Sequence, residues 1–129
     1  MDNAGSETNE FEQMATALFN VMRRLREKHE DMTALQVMCL MRVAAKPGIG
    51  QRELQIELET GSNSTASRIL GMLSQHGTRG AEGLNLVDMK TNPLDRRERR
   101  LYLSPKGKRL MVEIMKEMPS VSKKTTVSA

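Results

Sequence analysis

The chain has 129 residues, 28% of them charged, with a net charge of +4, eleven methionines, one cysteine and almost no aromatic side chains. That length suits one compact domain, a single thiol excludes an internal disulfide or a thiolate zinc cluster, and the longest apolar run, Val37 to Met41, is too short to cross a bilayer. The acidic start (Asp2, Glu7, Glu10) has neither the cationic region nor the apolar stretch of a signal peptide, so a cytoplasmic protein is expected.

Residues 1–9 are small and polar and read as a disordered tail. From Glu10 a helical period sets in: Phe11, Met14, Leu18, Met22 and Leu25 recur at three- and four-residue spacing, which predicts an amphipathic helix over residues 10–30. Thr33 is positioned to cap a second helix, TALQVMCLMRVAAKPG, apolar on most sides and therefore expected to be buried, with Pro47 and Gly48 stopping it. The next segment, GQRELQIELETG, carries Leu54 and Leu58 on one face, and Gly61 suits the positive φ wanted just past a helix end. A further helix follows at once in SNSTASRILGMLSQHG, with Ala66, Ile69, Leu70 and Leu73 as its buried stripe and Asn63, Ser64, Thr65, Ser67 and Arg68 largely outside it. Two short helices joined by a tight glycine-containing turn are a helix-turn-helix.

TRGAEG reads as loop, and LNLVDMK and RRLYL as two short strands joined by TNPLDRRE. Ser104 then caps a last helix with Pro105 at its first position; Leu110, Met111, Ile114 and Met118 line one side and Pro119 ends it. Residues 119–129 read as a second disordered tail. A helix-turn-helix followed by a hairpin is a winged helix. The fold class is therefore mainly α with a small β-hairpin (α+β), one domain over residues 10–118, flanked by helices at 10–30 and 104–118.

Charge is unevenly distributed. Residues 1–31 carry four basic and seven acidic side chains, whereas residues 86–110 carry eight basic and three acidic ones. A cluster of one sign attracts polyanions, and its densest part is RRERR, Arg96 to Arg100. Side by side these arginines repel one another, which points to an anionic partner outside the chain. A hairpin tip fits the minor groove of a duplex, where an inserted arginine senses groove width. The major groove admits a helix and exposes base edges. There Asn63 suits adenine, Ser64, Thr65 and Ser67 suit bases or phosphates, Arg68 suits guanine or phosphate, and the helix N-terminus offers free N–H groups to phosphate. The plainer alternative has Asn63 and Ser64 as caps, Arg68 solvated, and some arginines paired with Glu98 or Asp95.

Two stretches, SRILGMLSQHG and LVDMKTNPLDRRERRLYLSPKGKRL, resemble the MarR family of bacterial transcriptional regulators. Members show Ser-Arg with spaced leucines, then an Asp-x-Arg wing, an apolar strand and Leu-Thr/Ser-x-x-Gly-x-x-Leu; here these are Asp95, Arg97, Leu101, Leu103, Ser104, Gly107 and Leu110. MTALQVMCLMRV is similar to the family's second helix, so the likeness spans Thr33 to Leu110. It implies that Arg97 enters the minor groove, Asp95 orients it, and Arg96, Arg99 and Arg100 meet flanking phosphates. It also implies a homodimer, joined here through Phe11, Met14, Leu18, Met22, Leu110, Ile114 and Met118. Recognition would be of a pseudo-palindrome in double-stranded DNA, with repression by occlusion of a promoter and release by a small apolar ligand. The chain departs from the family in inserting TRGAEGLN where one glycine is usual, and in having a short C-terminal helix, which implies a smaller or differently built interface.

Cys39 sits mid-helix in an apolar run and reads as an inert core thiol. His29 and His76 have no ligand neighbours at metal spacing, and no nucleophile–base set or phosphate loop occurs. No enzyme, metal, cofactor or membrane partner is therefore expected. Other readings are a winged-helix adaptor gripping an acidic protein such as polymerase, and a DNA-binding factor of replication or packaging.

Overall fold

The computed structural model describes residues 3–61, 63–74 and 82–119, without the side chains of residues 3–8 and 63. They fall into two compact units: Asp31–Met111, and the residues up to Glu30 together with those from Val112 onward. The element order is α1 (Asn3–Lys28), α2 (Ala34–Ala45), β1 (Ile49–Gly50), α3 (Gln51–Leu58), α4 (Asn63–Leu73), β2 (Val87–Asn92), β3 (Asp95–Leu103) and α5 (Pro105–Met115). This is the winged-helix order the sequence predicts, with one strand more.

In the unit Asp31–Met111, α2 begins with a capping box. The Gln36 N–H donates to Thr33 Oγ1 at 3.2 Å, and the Thr33 N–H donates to Gln36 Oε1 at 2.8 Å. Burial of α2 is confined to one side, Cys39, Leu40 and Val43, while Met38 is exposed. Its other side carries charge: Arg42 pairs with Glu57 of α3 at 2.8 Å, and Lys46 with Glu53. The Glu53 carboxylate raises the Lys46 ammonium above its ordinary value, chiefly through their hydrogen bond. Helix α3 ends two residues earlier than Gly61 suggested: Glu59 takes the left-handed conformation (φ 54°), and Gly61 adopts a second positive φ (73°) in the turn. Leu54 and Leu58 of α3 and Ala66, Ile69, Leu70 and Leu73 of α4 are all buried, as their spacing predicts.

Ile49–Gly50 form a strand that a two-residue stretch cannot announce in the sequence. It pairs antiparallel with β3 (Ile49 opposite Leu101, Gly50 opposite Arg100), so β3 is the centre of a three-stranded sheet in the order β1-β3-β2. Gly48, at φ 87°, donates its N–H to Leu101 O at 2.8 Å. Leu101 is fully buried, with Met89 opposite it on β2.

Residues 75–81, which hold most of the predicted loop and His76, lie outside the described residues. Where the description resumes, the chain is tied to the end of α4. The N–H groups of Leu84, Leu86 and Asn85 donate to the carbonyls of Met72 (2.8 Å), Leu73 (2.7 Å) and Ser74 (3.1 Å). These carbonyls have no partner within the helix, so the bonds close α4 and aim β2 together. The start of α5 is fixed at the same place. Ser104 donates its N–H to Leu86 O at 2.9 Å and its hydroxyl to Asn85 O at 2.6 Å, while its Oγ accepts from the Gly107 N–H at 2.9 Å. A Cβ on Gly107 would lie 2.2 Å from Leu86 O, which explains the glycine at this position.

In the other unit, α1 begins at Asn3, so the stretch expected as a tail is helical; NAGSETN has no apolar period to reveal it. Ala17, Val21, Leu25 and Ile114 are buried, and Arg24 pairs with Glu117. Regular helix in α5 stops at Met115, earlier than Met118. Residues 120–129, most of the predicted C-terminal tail, lie outside the described residues.

Gly107→Ala is expected to lower unfolding free energy by at least about 1–3 kcal/mol, the usual cost of overpacking against an atom that cannot move aside. A urea titration followed by far-ultraviolet circular dichroism measures it, and an unchanged midpoint would contradict the close approach to Leu86.

Candidate nucleic-acid interface

Helix α4 presents its polar residues on the side away from its buried stripe. Ser64, Ser67 and Arg68 are exposed and Thr65 is half-buried. Asn63 opens the helix. Gln51, the first residue of α3, donates from Nε2 to Ser67 Oγ at 3.4 Å, linking the two helices of the motif on their outer side.

The arginine run lies wholly in strand β3, whereas the sequence predicts Arg96 and Arg97 in the connecting loop. Only Pro93 and Leu94 separate β2 from β3. The pairing runs regularly from Val87 opposite Leu103 to Thr91 opposite Arg99, then jumps to Asn92 opposite Asp95, leaving residues 96–98 without an opposite number. Such a bulge re-aims side chains and ends regular pairing. Two side chains shape the tip. Asn92 Oδ1 accepts from the Leu94 N–H at 3.0 Å, and Asp95 Oδ1 accepts from the Arg97 N–H at 3.0 Å. These are short Asx-type turns, in which a side chain replaces a carbonyl as acceptor. Asn92 Nδ2 also donates to Glu98 Oε1 at 2.7 Å. Asp95 thus steadies Arg97 through its backbone N–H, not through its guanidinium.

The four arginines are exposed but not equivalent. Arg100 is tied down: its guanidinium meets Glu98 Oε1 at 3.1 Å and donates to Gly48 O at 3.2 Å. Lys90 stands directly opposite Arg100, a repulsive pair. The repulsion is relieved on both sides, because Lys90 also lies 5.0 Å from the centre of the Tyr102 ring. Among the described residues the guanidiniums of Arg96, Arg97 and Arg99 have no carboxylate partner. The cationic run is thus split into one structural arginine and three that face outward.

Arg99 is the residue that joins the two halves of the site. With Met89 it lines a cleft of about 260 Å³ whose other walls are Gln51, Ser67, Leu70, Gly71 and Ser74. The hairpin and α4 therefore open on the same space at Ser67, the exposed residue of α4 among the cleft's walls; Ser64 and Arg68 do not line it.

The side chains expected to join two copies divide differently. Phe11, Met14 and Leu18 are exposed and Met22 is half-buried, but Leu110 and Ile114 are buried within the chain and cannot line an interface. The exposed apolar residues of the C-terminal segment are Val112, Met115 and Met118. Phe19, with Arg23 stacked 5.7 Å from its ring centre, is exposed as well. None of Phe19, Val112 and Met115 stands out in the sequence, because each lies off the stripe that the apolar period picks out. Cys39 is fully buried, and burial pushes its thiol up to about 12, so it holds no thiolate at neutral pH. Among the described residues no group of three His, Cys, Asp or Glu side chains is placed to hold a metal, and no helix is long and apolar enough to cross a membrane.

No protein-family model matches the chain, and no curated protein does. Solved structures do. MarR itself is 26% identical, with a TM-score of 0.54 over 78% of this chain and 71% of that one. A MarR-like transcriptional regulator from Thermotoga maritima is 23% identical, with a TM-score of 0.58 over 100% of this chain and 84% of that one. The transcriptional repressor CouR, solved bound to a 23-mer DNA duplex, is 20% identical, with a TM-score of 0.57 over 91% and 72%. The chain has the winged helix-turn-helix fold of these MarR-type proteins, as its wing and helix motifs imply.

Asp95→Ala is expected to speed exchange of the Arg97 amide about two- to tenfold, the loss of one hydrogen bond, while leaving the amides of Leu101 and Leu103 unchanged. Hydrogen-exchange NMR reads both, and equal rates at Arg97 would refute the bond to the side chain.

Proposed function

We propose that this chain is a sequence-specific, double-stranded-DNA-binding transcriptional regulator. In this reading α4 enters the major groove and the hairpin enters the adjacent minor groove. The observation that carries it is the cleft lined both by Arg99 of the hairpin and by Ser67 of α4. Two elements that open on one space can follow one duplex through neighbouring grooves, which they could not do from opposite sides of the molecule. Three outward arginines next to that space supply the charge that phosphate neutralisation requires.

Within this frame Asn63, Ser64, Thr65, Ser67 and Arg68 meet base edges and phosphates. Arg97, presented from a tip that Asp95 and Asn92 pre-shape, inserts into the minor groove. Arg96 and Arg99 meet flanking phosphates. Arg100 has a share in holding Gly48 and Glu98 that makes it the least available of the four.

The exposed apolar side chains of Phe11, Met14, Leu18, Val112, Met115 and Met118 are the surface through which two copies associate. A dimer sets two recognition helices about one turn of DNA apart and so reads a pseudo-palindrome. A dimer bound across a promoter represses by occlusion.

Selection of bound sequences from a random duplex pool is expected to return a two-fold symmetric site. Arg97→Ala should then bind it at least about tenfold more weakly, and Arg99→Ala should flatten the dependence of log affinity on log salt by about one unit. Gel-shift titrations at several salt concentrations measure both. No binding of any duplex at low salt would overturn the reading and favour a winged helix that grips an acidic protein instead. Leu18→Glu is expected to convert dimer to monomer in sedimentation velocity at micromolar concentration; a wild-type chain that is monomeric there would refute the dimer.

A further inference from the structure

The hairpin ends on a residue that none of the roles above uses. Leu94 is 95% exposed, the most exposed of the large apolar side chains among the described residues. Isolated surface leucines are common and need no explanation by themselves. This one differs in where it stands and how it is held. It is the second of the two residues between β2 and β3, at the apex of the hairpin. It follows Pro93, whose ring restricts the backbone. Its N–H is fixed by Asn92 Oδ1 at 3.0 Å, and Asn92 is itself fixed by its bond to Glu98 at 2.7 Å. On its far side Asp95 holds the Arg97 N–H. The apex thus presents one branched apolar side chain from a constrained turn, with the unpaired cations Arg96, Arg97 and Arg99 behind it.

From this geometry we infer that Leu94 is a wedge: it enters the minor groove ahead of the arginines and seats between two adjacent base pairs, unstacking them and bending the duplex. The inference rests on the DNA-binding reading and deepens it. The argument is one of complementarity. The cations fix the occupant as a polyanion, and the largest apolar surface a duplex can offer a side chain in the minor groove is the pair of base faces exposed when a step opens. Apolar side chains from a narrow element, backed by cations on the phosphates, open such steps and kink the duplex toward the major groove. Pyrimidine–purine steps open most readily. Leu94 therefore adds sequence preference at a position where no hydrogen bond reads a base, and the bend turns the phosphates on either side toward Arg96 and Arg99.

The test uses the full chain and a 30-base-pair duplex of the sequence returned by selection. Donor and acceptor dyes on its ends report bending, and 2-aminopurine in place of the adenine at a pyrimidine–purine step reports unstacking. Wild type is expected to bend the duplex by about 20° or more and to brighten 2-aminopurine at one step in each half-site. Leu94→Ala should lose both signals and bind about tenfold more weakly, with its melting temperature unchanged because the side chain packs against nothing. Leu94→Met should keep both signals. Arg97→Ala, at protein concentrations that saturate the duplex, should bind weakly yet still brighten 2-aminopurine. A Leu94→Ala variant that bends the duplex and brightens the probe as wild type does overturns the wedge and leaves the DNA-binding reading standing; a wild-type chain that binds no duplex overturns both.

Discussion

Three backbone amides hold the site together. Leu84 and Leu86 donate to the carbonyls of Met72 and Leu73 at the end of α4, Asn85 donates to that of Ser74 just past it, and immediately afterwards the chain becomes β2. A helix terminus leaves acceptors that must find donors, and here the donors are the residues that begin the wing. Helix α4 and the hairpin are therefore aimed by one set of bonds. The segment TRGAEGLN ends in Leu84 and Asn85, which are themselves two of the donors. Ser104 and Gly107 add α5 to the same place, and the space there is so small that a methyl group on residue 107 would overlap Leu86 O.

The second tie is β1. Its two residues connect α2 to α3 and at the same time pair with the middle of β3, and Gly50 is both the last residue of that strand and the cap position of α3. The hairpin is thus held at its base by the end of α4 and along β3 by the entry to α3. Against these constraints the electrostatic cost of gathering Lys90 and four arginines on one hairpin is met locally. Glu98, the Gly48 carbonyl and the Tyr102 ring quiet Arg100 and Lys90, and the three remaining guanidiniums are directed outward.

Much of this was legible in the sequence, and the failures share a cause. Leu54 and Leu58, and Ala66 to Leu73, repeat at helical spacing and pack as that spacing predicts. The caps at Thr33 and Ser104 depend on residue type and local spacing alone, and both form. β1 escaped because two residues have no period. The first half of β3, DRRE, is polar throughout, so the alternation that marks a half-buried strand begins only at Arg99. The stripe Phe11, Met14, Leu18, Met22 and Leu25 crosses two faces of α1: Leu25 is buried together with Ala17 and Val21, which lie off the stripe, whereas Phe11, Met14 and Leu18 are exposed. Leu110 and Ile114 failed as interface residues for the same reason, since an amphipathic period says that a face is covered, not whether its own chain or another covers it.

The break in register between Thr91 and Asn92 has a consequence for how such a protein can diverge. Everything that fastens the hairpin to the body lies on the near side of that break, in the ladder from Val87–Leu103 to Thr91–Arg99 and in the contacts of β1. Beyond it, residues 92–98 are shaped mainly by their own side chains, with one tie back across the break from Glu98 to Arg100. The segment is therefore close to a detachable cassette: its length and chemistry can change from one descendant to the next without re-threading the sheet, so that new binding preferences arise at the fingertip while the hand keeps its grip.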